Sequence, residues 1–107
     1  MPVDTSSFGR AIASARKDLE LSQKDLANKI RKEDGESITP QYLNDIEHDR
    51  RSPSSDHIVK QFATVLKIKP DILYWLAGRV PGDITKRTAS PEQIETAFAA
   101  FRRTIKE

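Results

Sequence analysis

The side chains best suited to specific polar chemistry are concentrated in one short segment, residues 39–51. Leu43 and Ile46 are three residues apart, which predicts one buried face of a short helix. The opposite stripe carries side chains that exchange hydrogen bonds, namely Gln41, Asn44, Asp45 and His48. Two cations, Arg50 and Arg51, follow directly. Helix-borne amides followed by cations suit contacts with the bases and phosphates of a nucleic acid, although an ordinary amphipathic surface helix has the same pattern.

Other polar residues do not support catalysis. His48 and His57 lie near Asp49 and Asp56, a combination that metal or acid–base chemistry can use, but histidines in polar loop and cap positions are usually only exposed. The Ser55 hydroxyl before Asp56 fits a helix cap. The sequence has no cysteine, glycine-rich phosphate loop, nucleophile turn or metal-ligand spacing. We therefore predict a protein that is not an enzyme and needs no cofactor or metal.

The composition predicts a single domain with a short appendage. The chain has 107 residues and a formal net charge of only +2, so the distribution of charge says more about partners than its total. The N-terminus lacks the apolar run of a signal peptide, and no stretch of apolar residues is long enough to span a membrane. We expect a cytoplasmic protein with no membrane contact.

Apolar residues recur at helical spacing in five consecutive segments, and no alternation is long enough for a strand. The apolar positions are Phe8, Ile12, Ala15 and Leu19; Leu26, Ala27 and Ile30; Leu43 and Ile46; Ile58, Phe62, Val65 and Leu66; and Ile72, Leu73, Trp75 and Leu76. Ser22, Thr39 and Ser55 are suited to N-cap positions. The charged connection 31–38 contains Gly35, which is suited to end the second helix. The predicted fold class is all-α.

The two ends of the chain are predicted to lie outside this core. Residues 1–7 are small and polar and predict a flexible arm, and residues 79–90 read as a linker. Residues 91–107 predict an amphipathic helix, capped by Ser90. Its apolar stripe consists of Ile94, Phe98, Phe101 and Ile105. This stripe needs a cover, so the helix either docks on the domain or pairs with its twin in a homodimer, and we favour dimerisation.

Residues 8–78 resemble the helix-turn-helix domain of the Xre family, which includes the lambda-type phage repressors and their Cro proteins. The matching residues are Arg16, Leu21-Ser-Gln-Lys-Asp-Leu-Ala27, Thr39 to Glu47, Arg51, Pro53 and Leu66 to Leu73. The resemblance implies a five-helix lambda-repressor-like domain. It also implies double-stranded DNA as the partner, bound by a homodimer at two half-sites about 34 Å apart. The function it implies is a transcriptional regulator, which we expect to be a repressor on a palindromic operator.

The resemblance also implies roles for individual residues. Those expected to contact bases are Thr39, Gln41, Tyr42, Asn44 and Asp45. Those expected to contact phosphate are Ser22, Gln23, Lys24, Arg50 and Arg51. Arg16 and Glu47 are expected to form a partly buried ion pair that holds the third helix. Gln41 is suited to pair with adenine, and Asp45 to accept from the cytosine amino group.

One departure from the family pattern leaves alternatives open. The connection 31–38 is several residues longer than the tight turn that the family usually has, which puts the placement of the third helix in doubt. Its acidic residues, Glu33, Asp34 and Glu36, are expected to point away from DNA or to contact a partner protein. An antitoxin-like regulator, or a protein-interaction module that retains the fold without binding DNA, are the alternative functions.

Overall fold

Seven α-helices make up the regular structure of the computed structural model, which describes residues 2–106. They are α1 (Phe8–Asp18), α2 (Gln23–Lys29), α3 (Pro40–Glu47), α4 (Asp56–Leu66), α5 (Pro70–Ala77), α6 (Gly82–Thr85) and α7 (Pro91–Thr104). Extended pairing among these residues is limited to one isolated antiparallel bridge between Arg31 and Ser37. The all-α prediction is confirmed.

Helices α1 to α5 enclose one apolar core. The largest side chains that are fully buried there are Phe62, Ile12, Leu26, Ile30, Leu43, Ile46, Ile58, Leu73 and Val59. Phe8 and Phe62 meet edge to face, with ring centroids 6.1 Å apart, a favourable aromatic geometry. Leu19 was expected on the buried face of the first helix, but this is wrong. Helix α1 ends at Asp18, and Leu19 is 39% exposed.

Side-chain caps define where most helices begin. The hydroxyl of Ser22 accepts the Asp25 N–H, and Asp25 accepts the Ser22 N–H in return, which completes a capping box. Thr39 caps α3 and Ser55 caps α4 in the same way, each accepting an N–H three residues ahead. Each cap satisfies a backbone donor that the helix itself leaves unpaired. Ser90 caps α7 in a capping box with Gln93, so the four N-caps that the sequence predicts are present.

The long connection between α2 and α3 folds as a small hairpin. Helix α2 ends at Lys29, so Gly35 does not terminate it as expected. Gly35 instead lies at the hairpin tip with φ of +87°, where its N–H donates to the Lys32 carbonyl oxygen. The hairpin closes at its base, where the Ile38 N–H donates to the Ile30 carbonyl oxygen at 3.0 Å. Because both isoleucines are buried, the additional residues extend from a closed base, and Glu33 Oε1 accepts the Ser55 hydroxyl at 3.4 Å.

The C-terminal part of the chain carries most of the exposed apolar surface. The segment expected to be a linker contains the short helix α6. Large apolar side chains that are about half exposed are Trp75, Val80, Ile84, Ile94, Phe98, Phe101 and Ile105. Helix α7 meets α5 through Trp75 and Phe101, whose rings are stacked with centroids 5.4 Å apart. Within residues 2–106, no helix combines the length and apolarity needed to cross a membrane.

Candidate nucleic-acid interface

Helix α3 packs by one side only. Leu43 and Ile46 are completely buried, and α3 contacts both α1 and α2. Gln41 and His48 are exposed, whereas Tyr42, Asn44 and Asp45 are partly buried. Thr39 and Lys24 are also exposed, at the starts of α3 and α2. The structure therefore places the exposed polar side of α3 next to the beginning of α2.

A buried ion pair fixes the end of α3 to α1. Arg16 Nε donates to Glu47 Oε2 at 2.6 Å, and Arg16 Nη2 donates to Glu47 Oε1 at 3.0 Å. Only 12% of the Arg16 side chain and 3% of the Glu47 side chain are exposed. Arg16 Nη1 also donates to the Leu21 carbonyl oxygen. Arg16 and Glu47, which the family resemblance pairs, are thus brought together with the bidentate geometry that gives such pairs their directional strength.

The same network includes two residues that were assigned to DNA contacts. Gln23 Nε2 donates to Glu47 Oε1 at 3.0 Å and to Asn44 Oδ1 at 3.2 Å. These bonds cross from α2 to α3, so they set the angle between the two helices. The amide groups of Gln23 and Asn44 consequently point toward each other, whereas Ser22 is exposed at the helix start. Asp25 lies beside Ser22, and its hydrogen bonds from the Ser22 hydroxyl and N–H lower the pKa of its carboxyl group.

On the outer side of α3, three polar side chains form a connected row. Gln41 Nε2 donates to Asp45 Oδ1 at 3.1 Å. Arg50 donates to the same oxygen through Nε at 3.3 Å and through Nη2 at 3.2 Å. The second oxygen, Oδ2, has no hydrogen bond within the described residues. The negative charge of Asp45 is therefore compensated by Arg50, which lessens its repulsion of a polyanion.

Tyr42 supports the loop that follows α3. Its hydroxyl oxygen accepts the Ser54 N–H at 3.1 Å, and the Arg51 guanidinium lies 4.9 Å from the centre of its ring. This arrangement is a cation–π contact that orients Arg51. The sequence indicated Tyr42 only as a base contact, and its position between the helix and the loop was missed. No local sequence pattern links Tyr42 to Ser54, because the contact spans twelve residues.

Asp49 joins the loop to the start of α1. Its φ of +57° lies in the left-handed region, and its two carboxylate oxygens accept the Ser7 hydroxyl at 2.6 Å and the Gly9 N–H at 2.9 Å. A side chain at Gly9 would lie 2.6 Å from the Glu47 carbonyl oxygen and would also contact that of Ile46. Only glycine allows this close approach of α1 to the end of α3. No local sequence pattern indicates this contact, because Gly9 and Asp49 are forty residues apart.

His48 and His57 are the residues whose types could serve metal or acid–base chemistry. His48 Nδ1 lies 2.9 Å from the carbonyl oxygen of Asn44 in its own helix turn. Among residues 2–106, no group of three or more histidine, aspartate or glutamate side chains is placed to hold a metal ion.

Comparison with known families agrees with this geometry. Residues 12–73 match the family model described as helix-turn-helix, of the Cro/C1 type, and the match covers more than half of the chain. No curated protein and no solved structure matches the chain significantly. The matched range contains α2 to α4 completely and α1 from Ile12 onward, together with the ion pair and the polar row on the outer side of α3. The chain therefore belongs to the Cro/C1-type helix-turn-helix family of Xre-like DNA-binding regulatory domains.

Proposed function

We propose that this protein is a transcriptional repressor that binds a palindromic operator as a homodimer, with α3 in the major groove. The observation that carries the proposal is the row formed by Gln41, Asp45 and Arg50, which lies on the outer side of a helix whose inner side is fixed by buried bonds. Preorganised amide and carboxylate groups on a rigid helix are suited to base edges, because binding then orders few side chains.

Within this row we assign separate roles to the three side chains. The amide nitrogen of Gln41 carries two protons, so it can keep its bond to Asp45 and still donate to adenine N7. The amide oxygen of Gln41 can then accept from the adenine amino group. Asp45 orients Gln41 and Arg50, and its free Oδ2 accepts from a cytosine or adenine amino group. Arg50 and Arg51, in the loop after α3, contact the phosphate backbone.

The test begins with selection of binding sites from random duplex DNA, followed by titration of the selected duplex at several salt concentrations. We expect twofold-related half-sites and a slope of log affinity against log salt of about −0.9 for each phosphate neutralised. Lack of binding at low salt would contradict the proposal and favour a protein-interaction module. A single asymmetric site would contradict the homodimer.

Two substitutions assign the contacts. Gln41→Ala should cost about 1–3 kcal/mol on the selected duplex and relax the preference at one base pair, whereas Arg51→Ala should weaken all duplexes alike and reduce the salt slope by about 1. Lys69→Ala is the control. Lys69 is an exposed cation in the connection between α4 and α5, which lies at the end of α4 away from the loop. Equal weakening of every sequence by Gln41→Ala would show that this residue only positions the helix.

The homodimer is proposed to form through α7. The predicted stripe is 48% to 53% exposed; Ile94, Phe98 and Phe101 lie on α7, whereas Ile105 is its extended C-cap because the helix ends at Thr104. Phe101 already stacks on Trp75. A second copy of the same stripe is self-complementary, as a twofold interface requires. Phe98→Ala should therefore lower the dimer fraction in sedimentation experiments, and Thr96→Ala, on the same helix but outside the stripe, should not. A monomeric wild-type protein would contradict this assignment.

A further inference from the structure

Arg79 contacts the loop that carries the two proposed phosphate contacts. It follows Gly78, which ends α5 with φ of +68°. Arg79 Nη1 donates to Asp56 Oδ1 at 3.0 Å, and Nη2 donates to the Pro53 carbonyl oxygen at 3.3 Å. The two charged side chains are about one-third exposed. Arg79 thus joins the segment after α5 to the end of the loop and to the first residue of α4.

The bond to Pro53 has a specific consequence for the loop. The Pro53 carbonyl and the Ser54 N–H belong to the same peptide unit. Arg79 holds the carbonyl, and the Tyr42 hydroxyl holds the N–H at 3.1 Å. In the part of the chain that the structure describes, residues 51–54 make no backbone–backbone hydrogen bond outside the helices. These two side chains therefore supply the polar contacts that fix this peptide, one from each side.

Asp56 extends the contact to the segment after Arg79. Its Oδ1 binds Arg79, and its Oδ2 lies close to the backbone of Gly82, since a side chain there would approach this oxygen to 2.8 Å. The start of α6 therefore packs against the carboxylate that Arg79 binds. The docking of the segment 79–85 and the conformation of the loop are linked through Asp56 and Arg79.

We propose that Arg79 is a positioning residue for DNA binding. By holding the Pro53–Ser54 peptide, it sets the path of the loop and so the directions of Arg50 and Arg51. DNA affinity then depends on whether the segment after α5 is docked. This inference rests on the proposed DNA-binding function, but it concerns a residue outside the matched family range.

A direct phosphate contact by Arg79 is the competing explanation, and charge substitutions distinguish the two. Arg79→Lys keeps the cation but cannot reproduce the planar two-nitrogen geometry. A phosphate contact would largely survive this change, whereas the hold on Pro53 and Asp56 would not. Asp56→Ala would strengthen a direct phosphate contact, because it releases Arg79 and removes a negative charge. Positioning through Asp56 predicts weaker binding instead.

The experiment measures affinity for the selected duplex by fluorescence anisotropy, using the full chain. We expect Arg79→Ala and Arg79→Lys each to weaken binding roughly tenfold, and Asp56→Ala to weaken it without adding to the effect of Arg79→Ala in the double variant. Arg87→Ala is the control, because Arg87 is an exposed arginine of the same segment. Unchanged binding by Arg79→Lys, or stronger binding by Asp56→Ala, would overturn the inference.

A second measurement needs no DNA. Amide hydrogen exchange at Ser54 should accelerate in Arg79→Ala and stay unchanged in Arg87→Ala, with the helical circular dichroism of both variants at the wild-type level. If the wild-type protein binds DNA and Ser54 exchange does not respond, only the role of Arg79 fails. If the wild-type protein binds no duplex, the proposed function fails, whatever the exchange at Ser54 shows, and the positioning role fails with it.

Discussion

Removing one partner of the ion pair between Arg16 and Glu47 should strongly destabilise the domain. Among the described residues, Glu47 is the one charged residue that is buried. It accepts two hydrogen bonds from Arg16 and one from Gln23. In Arg16→Ala, the carboxylate would keep only the Gln23 amide. In Glu47→Ala, the guanidinium would keep the Leu21 carbonyl oxygen and its small exposed fraction. Arg16→Ala should therefore be the more damaging of the two changes.

The magnitude follows from the cost of leaving a buried charge unpaired. Removing one partner of a buried pair costs about 3–5 kcal/mol, against a total stability of about 5–15 kcal/mol for a small domain. We place Arg16→Ala at the upper end and Glu47→Ala at the lower end of that range. Replacing both residues, Arg16→Met with Glu47→Leu, leaves no unpaired charge and should cost less than either single change.

Urea unfolding followed by helical circular dichroism measures these free energies, and the fluorescence of Trp75, the single tryptophan, gives an independent signal. Glu95→Ala is the control, because Glu95 is an exposed glutamate of α7. Losses below about 1 kcal/mol for both single variants would be typical of an exposed pair and would refute the reasoning. A double variant whose loss of unfolding free energy equals the sum of the two single losses would also refute the reasoning.

Three further predictions concern neighbouring contacts. Gly9→Ala should lower the free energy of unfolding by about 1–3 kcal/mol because its methyl group would meet the Glu47 carbonyl oxygen; an unchanged melting temperature would contradict this. Because the Ser22 bonds lower the pKa of Asp25 in the folded state, their contribution is present above the ordinary value of 3.8 and is lost as the pH falls through the lower folded value. Asp25→Asn should therefore show a smaller loss of stability on acidification than the wild type, and equal losses would contradict the assignment. Replacing residues 33–35 by an Asn-Gly turn keeps the bond from the Lys32 N–H to the Glu36 carbonyl oxygen, and it should preserve the helical signal and change stability by less than about 1 kcal/mol; unfolding of the shortened chain would show that the hairpin supports α3.

Local patterns predicted the helices because the determinants of a helix lie within a few residues of each other. Ser22, Thr39 and Ser55 each bond to a backbone N–H three residues ahead, so their role is visible in the sequence. The same logic fails at Leu19, whose spacing continues the apolar face of α1. The backbone leaves the helix at that point, and Glu20 adopts a left-handed conformation with φ of +58°.

The contacts that the sequence did not reveal connect distant parts of the chain. Asp49 bonds to Ser7 and Gly9 across about forty residues, and Arg79 bonds to Pro53 across 26 residues. Asp49 and Arg79 are charged residues, and each would fit an exposed loop equally well. The ion pair between Arg16 and Glu47 also joins distant residues, 31 positions apart in the sequence. It was expected only because the chain resembles a known family.

The positions of the long-range side-chain hydrogen bonds indicate that their main role is to orient α3 and its loop. Apart from the Tyr74 hydroxyl, the core of α1 to α5 is apolar, and burial of apolar side chains supplies stability without buried polar pairs. Buried polar pairs are poor sources of net stability, because desolvation offsets much of their attraction. Yet the long-range side-chain bonds of Glu47, Asp49 and Tyr42, together with the Arg79 bond to Pro53, each have one end on α3 or on the loop that follows it. Directional bonds placed there restrict how α3 and its loop can tilt, and that restriction is what a helix presented to the bases of DNA requires.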